Sequence, residues 1–305
     1  MRLVLRKLLS AVPTLLLTWT VVFGAMHLIP GDPVLLMLGG TPVSDEAMQA
    51  ERARLGVDRP FVMQYVDFLG RAVTGDFGDD FRTRQPVIGM IGHDLPYTLQ
   101  LAGGGLLVGL ALGIPLGVAA GLRPNGWIDA ICMATAIAGV SLPSFWIAMM
   151  LIQVFATSLG WVPVIGSGLV ALILPSISVG LFLAGGLARL IRASVIDVMS
   201  QDYIRTARAK GLTAARVVAK HAMVNATIPP LTLLGVQFAL LIGGAVVTET
   251  VFARPGIGAM LVRAVLEKDY PLVQGIVVLT TAAYVLVNVL IDVAYGLLDP
   301  RVAPG

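Results

Sequence analysis

Apolar residues fill six stretches of the chain: 8–28, 99–122, 128–154, 171–191, 228–252 and 274–298. A helix needs about 20 such residues to cross a hydrocarbon core about 30 Å thick, so the pattern predicts six membrane spans. Between the first two lies a more polar segment, 29–98, too long for a plain connection. Within it, Ser44 ahead of Asp45 and Glu46 reads as a helix start and Gly56 as its stop. After Pro60, the residues Phe61, Tyr65, Phe68, Leu69 and Ala72 recur at helical spacing until Gly75. Two readings of this second helix stand side by side. It lies along the outer membrane surface, or it forms a small extracytoplasmic cap that packs on the spans.

Inside the second span, Gly105, Gly109, Gly113, Gly117 and Gly121 fall every fourth residue. Small residues at that spacing line one helix face and admit a neighbouring backbone. The neighbour is another helix of the bundle or a second subunit. Prolines at 13, 115, 143 and 175 interrupt the spans and predict kinks.

Composition sharpens the membrane reading. Of 305 residues, 57% are hydrophobic and only 13% charged, with a mean hydropathy of +0.87, far from a soluble domain's balance. The net charge of +3 suggests nucleic acid until its placement is considered. Arg2, Arg6 and Lys7 precede the first span, Arg123 follows the second, and Arg301 lies in the tail. Seven more basic residues, from Arg189 to Lys220, cluster between the fourth and fifth spans. The short connections on the other side carry only Arg254, Arg263 and Lys268. Positive residues mark the cytoplasmic side, so both termini are predicted inside. The first apolar run exceeds a signal peptide's core and leads into Ile29-Pro30-Gly31-Asp32-Pro33 rather than a cleavage site, so it reads as a retained span.

Several chemistries are excluded by what the spans lack. Asp129 and Asp292 lie near span ends and Glu249 toward the outer end of the fifth, leaving no mid-membrane charge of the kind ion-coupled carriers use. All four lysines lie outside the spans and no Gly-x-Ser-x-Gly occurs, which argues against an intramembrane hydrolase. A phosphate-binding GxxxxGK[ST] motif is absent, so this chain is not expected to hydrolyse ATP itself, and no cofactor or metal is expected on it; if its transport is ATP-driven, the ATP and Mg belong to a partner. Cys132 reads as a packing residue. The uncharged polar residues Ser141, Gln153, Gln237 and Asn288 are candidates for lining a pathway, or for bonding neighbouring helices.

The segment 193–227 carries the clearest interaction signal. Asp202 to Lys210 reads as a short basic helix stopped at Gly211, and Thr213 opens a second. Alanines alternating with charges suit close docking of a soluble partner. A cationic loop on anionic lipid is the plainer alternative.

At these residues the chain resembles the inner-membrane permease subunits of bacterial ABC importers of the dipeptide/oligopeptide/nickel class. The likeness runs through Ile29 to Pro33, Arg54-Leu55-Gly56-Val57-Asp58-Arg59-Pro60 and Gly75-Asp76-Phe77-Gly78. It continues in Leu95-Pro96-Tyr97-Thr98-Leu99, Ser141-Leu142-Pro143-Ser144-Phe145-Trp146 and Leu159-Gly160-Trp161-Val162-Pro163. Tyr203 to Gly211, Glu249 to Gly258, Asp269-Tyr270-Pro271 and Leu298-Asp299-Pro300-Arg301 complete it. The resemblance implies an all-α integral membrane protein with six spans, the type I importer permease fold, and an inner-membrane location. Its divisions would be a first span (1–28), an extracytoplasmic segment (29–98), a five-span core with the coupling loop (99–298) and a tail (299–305).

Implied partners are a second, similar permease subunit, two ATPase subunits, an extracytoplasmic substrate-binding protein and membrane lipid, with no nucleic acid. Tyr203, Arg205, Thr206, Ala207, Lys210 and Gly211 match the family's ATPase-coupling loop. Arg205-Thr206-Ala207 stands where other importers have Glu-Ala-Ala, a form common in the peptide class, and the usual Ile-x-Leu-Pro after the glycine is missing. Asp32, Asp76 and Arg254 are expected to meet the binding protein. Small peptides, glutathione among them, are the expected substrate class, with a nickel chelate as the alternative. A membrane scaffold or channel that moves no solute by ATP is the rival from another class.

Overall fold

The computed structural model describes residues 2–37, 44–166, 168–226, 228–243 and 245–298; the side chains of 2–10, 224–225, 228–229, 231–232 and 292–298 lie outside that description. Arg2, Arg6, Lys7, Asp292 and the tail with Arg301 therefore fall beyond it. The described chain is almost wholly helical, with one isolated bridge between Asp79 and Pro86.

In chain order, α1 (Arg2–Leu28), α2 (Pro33–Met37), α3 (Asp45–Leu55) and α4 (Phe61–Thr74) lead to the long α5 (Val87–Leu122). Then come α6 (Trp127–Ser141), α7 (Ser144–Leu151) with a π-helical extension (Ile152–Ser158), and α8 (Ile173–Met199), preceded by a 3₁₀ turn (Val170–Leu172). The short helices α9 (Asp202–Ala209), α10 (Ala214–Arg216) and α11 (Met223–Ala226) follow, a π-helical stretch (Val217–Ala222) joining the last two. The chain ends with α12 (Ile228–Ile242), α13 (Val246–Val251), α14 (Ile257–Glu267) and α15 (Tyr270–Leu298).

The local punctuation acts as the residue types predict. The Ser44 hydroxyl accepts the Ala47 N–H, and Gly56 and Gly75 close α3 and α4 with φ of 70° and 75°, values that a side chain would strain.

Among the described residues, four helical stretches are long and apolar enough to cross a membrane: 11–28, 87–122, 170–199 and 270–291. The predicted third span is divided: α6 and α7 meet at 100° across Leu142-Pro143, where proline withholds a helix hydrogen bond. Counted as one broken span, the pair makes five. The predicted fifth span is also divided, ending as a 15-residue α12 at Ile242 and resuming as α13. The second helix starts at Val87, ahead of its apolar run, because the polar turn at His93 and Asp94 is itself helical.

Two compact units emerge. The first holds 1–98 and 255–305, the second 99–254. In the first, α1 and α15 pack around Phe23, Phe68, Phe77, Val87, Ile257, Leu272 and Ile276. Gly275 allows α15 to approach Val87 and Phe77, where a Cβ would stand 2.6 Å from Val87.

In the second unit α8 is the interior helix. Its most apolar window is 61% buried, against 17–33% for the other three candidate spans. The glycine repeat on α5 faces α8, so within this chain its neighbour is a helix of the same subunit. A Cβ on Gly109 would lie 2.9 Å from Leu183, and one on Gly117 2.6 Å from the Ala188 carbonyl oxygen. α8 answers with Gly180 against Val108 and Gly185 against the Ala136 carbonyl on α6.

Candidate functional site

The segment after α8 builds a helical platform. Asp202 in the first turn of α9 favours the helix N-terminus. At the other end Gly211 takes φ 76° and its N–H reaches the Arg208 carbonyl at 2.9 Å, ending the helix. Ile204 and Ala207 turn inward and pack with Val217, Ala222, Leu212 and the last residues of α8, Val198 and Met199. Their burial leaves Tyr203, Arg205, Thr206, Arg208, Lys210 and Gly211 exposed, joined by Ala214, Ala215, Arg216, Ala219 and Lys220. The outer face is thus basic with small residues between the charges.

Of the sequence-predicted coupling residues, five lie on this face. Ala207 lies on the opposite side, where it fastens α9 to the body of unit two. The Asp202–Arg205 pair, at 3.4 Å and strongly exposed on both sides, adds little to stability. No atom lies within 4 Å of a Cβ built on Gly211, so a side chain there meets open space within the described residues and is opposed by its positive φ.

α8 ties this platform to the rest of the unit. Arg192 donates through Nε and a terminal nitrogen to both oxygens of Asp129, each at 2.6 Å, and the Asn125 N–H adds a 2.8 Å bond. Asp129 is buried near the start of α6. Each residue was visible in sequence as a charge near the end of an apolar run; the rule that such charges seek a partner was the signal that could have joined them. The bidentate geometry makes the link directional as well as electrostatic.

The pathway candidates are divided between the two units. Ser141 and Gln153 are exposed and Gln237 half-buried in unit two. Asn288 belongs to unit one, where its amide donates to the Tyr284 carbonyl of its own helix at 3.0 Å. Among the described residues there is no cluster of three or more metal-ligating side chains.

The three expected binding-protein contacts also differ. Asp76 is exposed and caps the Gly78 N–H at 3.1 Å. Asp32 is partly exposed. Burial opposes its charge, but the Val34 N–H and the Arg52 guanidinium outweigh that and hold the carboxyl below its ordinary range. Arg254 is only 2% exposed, donating to the Gln100 side chain at 3.0 Å and toward the Gly166 carbonyl, so it belongs to the interior of unit two rather than to an outer surface.

Unit one holds two buried anchors the sequence did not reveal. Lys268, in a left-handed turn after α14, donates its ammonium to the carbonyls of Ile29 and Gly31. Asp269 caps α15 at the Leu272 N–H (2.9 Å) and accepts the Phe81 N–H at 2.6 Å. Burial, aided by the nearby Asp80 carboxylate, pushes the Asp269 carboxyl up to about 7 against these bonds.

The family model described as binding-protein-dependent transport system inner membrane component matches residues 113–304, covering α9 and its glycine, and the N-terminal model of the same transport components matches residues 1–102. The chain belongs to this family. It is a multi-pass permease of the inner membrane, of the ABC importer class. The permease is 39% identical to the glutathione transport system permease protein GsiC of Escherichia coli strain K12 over 98% of both chains. The GsiC of Salmonella choleraesuis strain SC-B67 is equally similar over the same share. Among solved structures, an inward-facing form of the MetNI methionine ABC transporter aligns with a TM-score of 0.57 at 21% identity, covering 70% of this chain and 99% of that one. An amino acid ABC transporter solved with histidines gives 0.52 at 15%, covering 70% and 95%. These structural likenesses establish the shared permease fold.

Proposed function

We propose that this permease supplies half of the translocation pathway of an ATP-driven importer for small peptides, glutathione foremost. The observation that carries the substrate class is the 39% identity, nearly end to end, to a glutathione permease. In this reading the protein has six spans, the bent α6–α7 pair counting as the third and α12–α13 as the fifth, with both termini in the cytoplasm. It pairs with a second, similar permease subunit, and two ATPase subunits carrying ATP and Mg dock on the basic face of α9–α10. An extracytoplasmic binding protein delivers the peptide to the 29–98 side through Asp32 and Asp76. The permease itself hydrolyses nothing.

Coupling follows from how α9 is held. Closure of the ATPase pair presses on Tyr203, Arg205, Thr206, Lys210 and Gly211. Ile204 and Ala207 pass the load to Val198 and Met199 at the end of α8. The glycine seam and the Asp129–Arg192 pair make α5, α6 and α8 follow it, and the spans rock between outward-open and inward-open states.

The test is co-purification with the neighbouring gene products, then reconstitution in vesicles. Glutathione or dipeptide uptake that requires both ATP and the binding protein supports the reading. Uptake of a nickel chelate but no peptide would reassign the substrate. Recovery without an ATPase partner would leave a scaffold or channel.

A further inference from the structure

The face of α4 that its periodicity singles out is not a free face. Phe61, Tyr65, Phe68 and Ala72 turn toward α1, where Phe23 meets the rings of Phe61, Tyr65 and Phe68 at centroid distances of 5.1–5.6 Å. The Tyr65 hydroxyl shares a 2.6 Å hydrogen bond with Thr20, and Gln64 bonds His27 at 3.0 Å. These contacts run along α1 from Thr20 to His27, about 10 Å of helix at ~1.5 Å per residue. All of them lie within the apolar span 11–28. α4 is therefore level with the end of a membrane-crossing segment, not beyond it.

A second apolar stripe on α4 has no partner among the described residues. Val62, Val66 and Val73 are 69%, 60% and 80% exposed, and Met63 beside them is exposed as well. Their i, i+4, i+11 spacing places them on one side of the helix. Leu17, Val21 and Leu28 repeat the same spacing and strong exposure on α1. The polar residues Gln64, Asp67, Arg71 and Thr74 form a separate stripe, and Arg59, paired with Asp67 at 2.8 Å, borders the shallow apolar groove made by Val62, Met63 and Val66. The rings of Phe23, Phe61, Tyr65 and Phe68 cluster at this level, and Tyr270 reaches them through His27; tyrosines such as Tyr65 and Tyr270 gather where hydrocarbon meets headgroups.

We infer that α4 is an interfacial helix embedded in the outer leaflet, with Val62, Met63, Val66 and Val73 against acyl chains. Arg59 lies at headgroup level, and the Asp67–Arg71–Thr74 stripe faces water. The arrangement has the three-way division an interfacial helix needs: one face on protein, one in lipid, one solvated. It fixes which side of the 29–98 segment stays open to a soluble partner, independently of which solute the importer carries.

The assembled transporter, reconstituted in phosphatidylethanolamine–phosphatidylglycerol vesicles, tests this by spin labelling in a Cys132→Ala background. Nitroxides are placed at Val66→Cys, Val73→Cys, Arg71→Cys and Thr74→Cys. The expected result is several-fold greater accessibility to oxygen than to a water-soluble nickel chelate relaxant at 66 and 73, with the order reversed at 71 and 74. Preference for the nickel relaxant at 66 and 73 would put the stripe in water and overturn the inference. Low accessibility to both reagents there would mean that a protein partner covers it, and would overturn it equally. Retained co-purification of each labelled variant certifies that it is folded, and the readout is independent of transport.

Discussion

The two units solve the same problem, holding helices together in a bilayer, by different means. In 99–254, backbones are brought close: glycines every fourth residue on α5 receive Leu183, Leu187, Ile191 and Val195, and Gly180 and Gly185 let α8 meet α5 and α6. One buried ion pair, Asp129–Arg192, is added near the end that carries α9. In the other unit the packing is aromatic, and buried polar groups join distant parts of the chain: Lys268 to Ile29 and Gly31, Asp269 to Phe81, and the Thr98 hydroxyl to the Ile257 N–H at 2.8 Å. Lipid supplies little driving force between helices, so close packing and satisfied polar groups must provide it. A seam of small residues suits elements that move as one body. Polar anchors suit loops, whose free carbonyls and N–H groups need partners.

The largest expected effect is on the seam. Gly117→Val places methyl groups where a Cβ would already lie 2.6 Å from the Ala188 carbonyl and 2.7 Å from Ile191. It should cost about 3 kcal/mol or more, read as a large fall in the thermal unfolding midpoint in detergent. Gly103→Ala on the same helix, with nothing within 4 Å of its Cβ, should leave the midpoint unchanged or slightly raised. Equal effects at the two glycines would break the comparison.

Next is Lys268→Met in the other unit. Removing the ammonium strands two carbonyls, for a loss of about 2–3 kcal/mol, with the damage showing as faster proteolysis of the 29–37 region. Asp129→Asn should follow at about 1–3 kcal/mol, since Arg192 keeps its charge but loses a bidentate acceptor. The exchange Asp129→Arg with Arg192→Asp should recover part of that loss in a double-mutant cycle. Purely additive losses would deny the pair its role.

A pH slope set by one group of unit one is of the same order as the two preceding losses. The Asp269 carboxyl is raised to about 7 by burial, above its unfolded value of about 4. The folded state therefore holds a proton that the unfolded state releases between those values. Stability from this group is fully present below about pH 4 and is lost as pH rises through about 7. The unfolding midpoint should thus fall from pH 5 to pH 8, and Asp269→Asn should flatten the slope. A midpoint that rises over that range would contradict the assignment.

What the sequence revealed follows from the same contrast. Period-four glycines and caps such as Ser44, Gly56, Gly75 and Gly211 are local signals that marked their elements, whereas the apolar runs 128–154 and 228–252 each hold two helices instead of one. Pro143 marked where the third span breaks, although its 100° bend was not readable from composition. The periodicity of α4 left two readings open, along the membrane surface or packed on the spans, because helical spacing marks an apolar face without saying what covers it; Phe61, Tyr65 and Phe68 lie against Phe23 of α1. Asp129 and Arg192, or Lys268 and Gly31, are partners across 63 and 237 residues. Nothing in one sequence links such positions except the general rule that buried charge must be matched.

The central claim is that the exposed basic face of α9–α10, seated on α8, is where partner ATPases drive transport. The most direct measurement is ATPase binding together with the rate of ATP-driven uptake in vesicles carrying the assembled importer, with Arg205→Glu and Lys210→Glu combined. Both side chains are exposed and remote from the packed residues Ile204 and Ala207, so insertion and folding should persist. ATPase binding and substrate uptake should fall at least tenfold. Uptake at the unmodified rate, with ATPases still bound, would contradict the account.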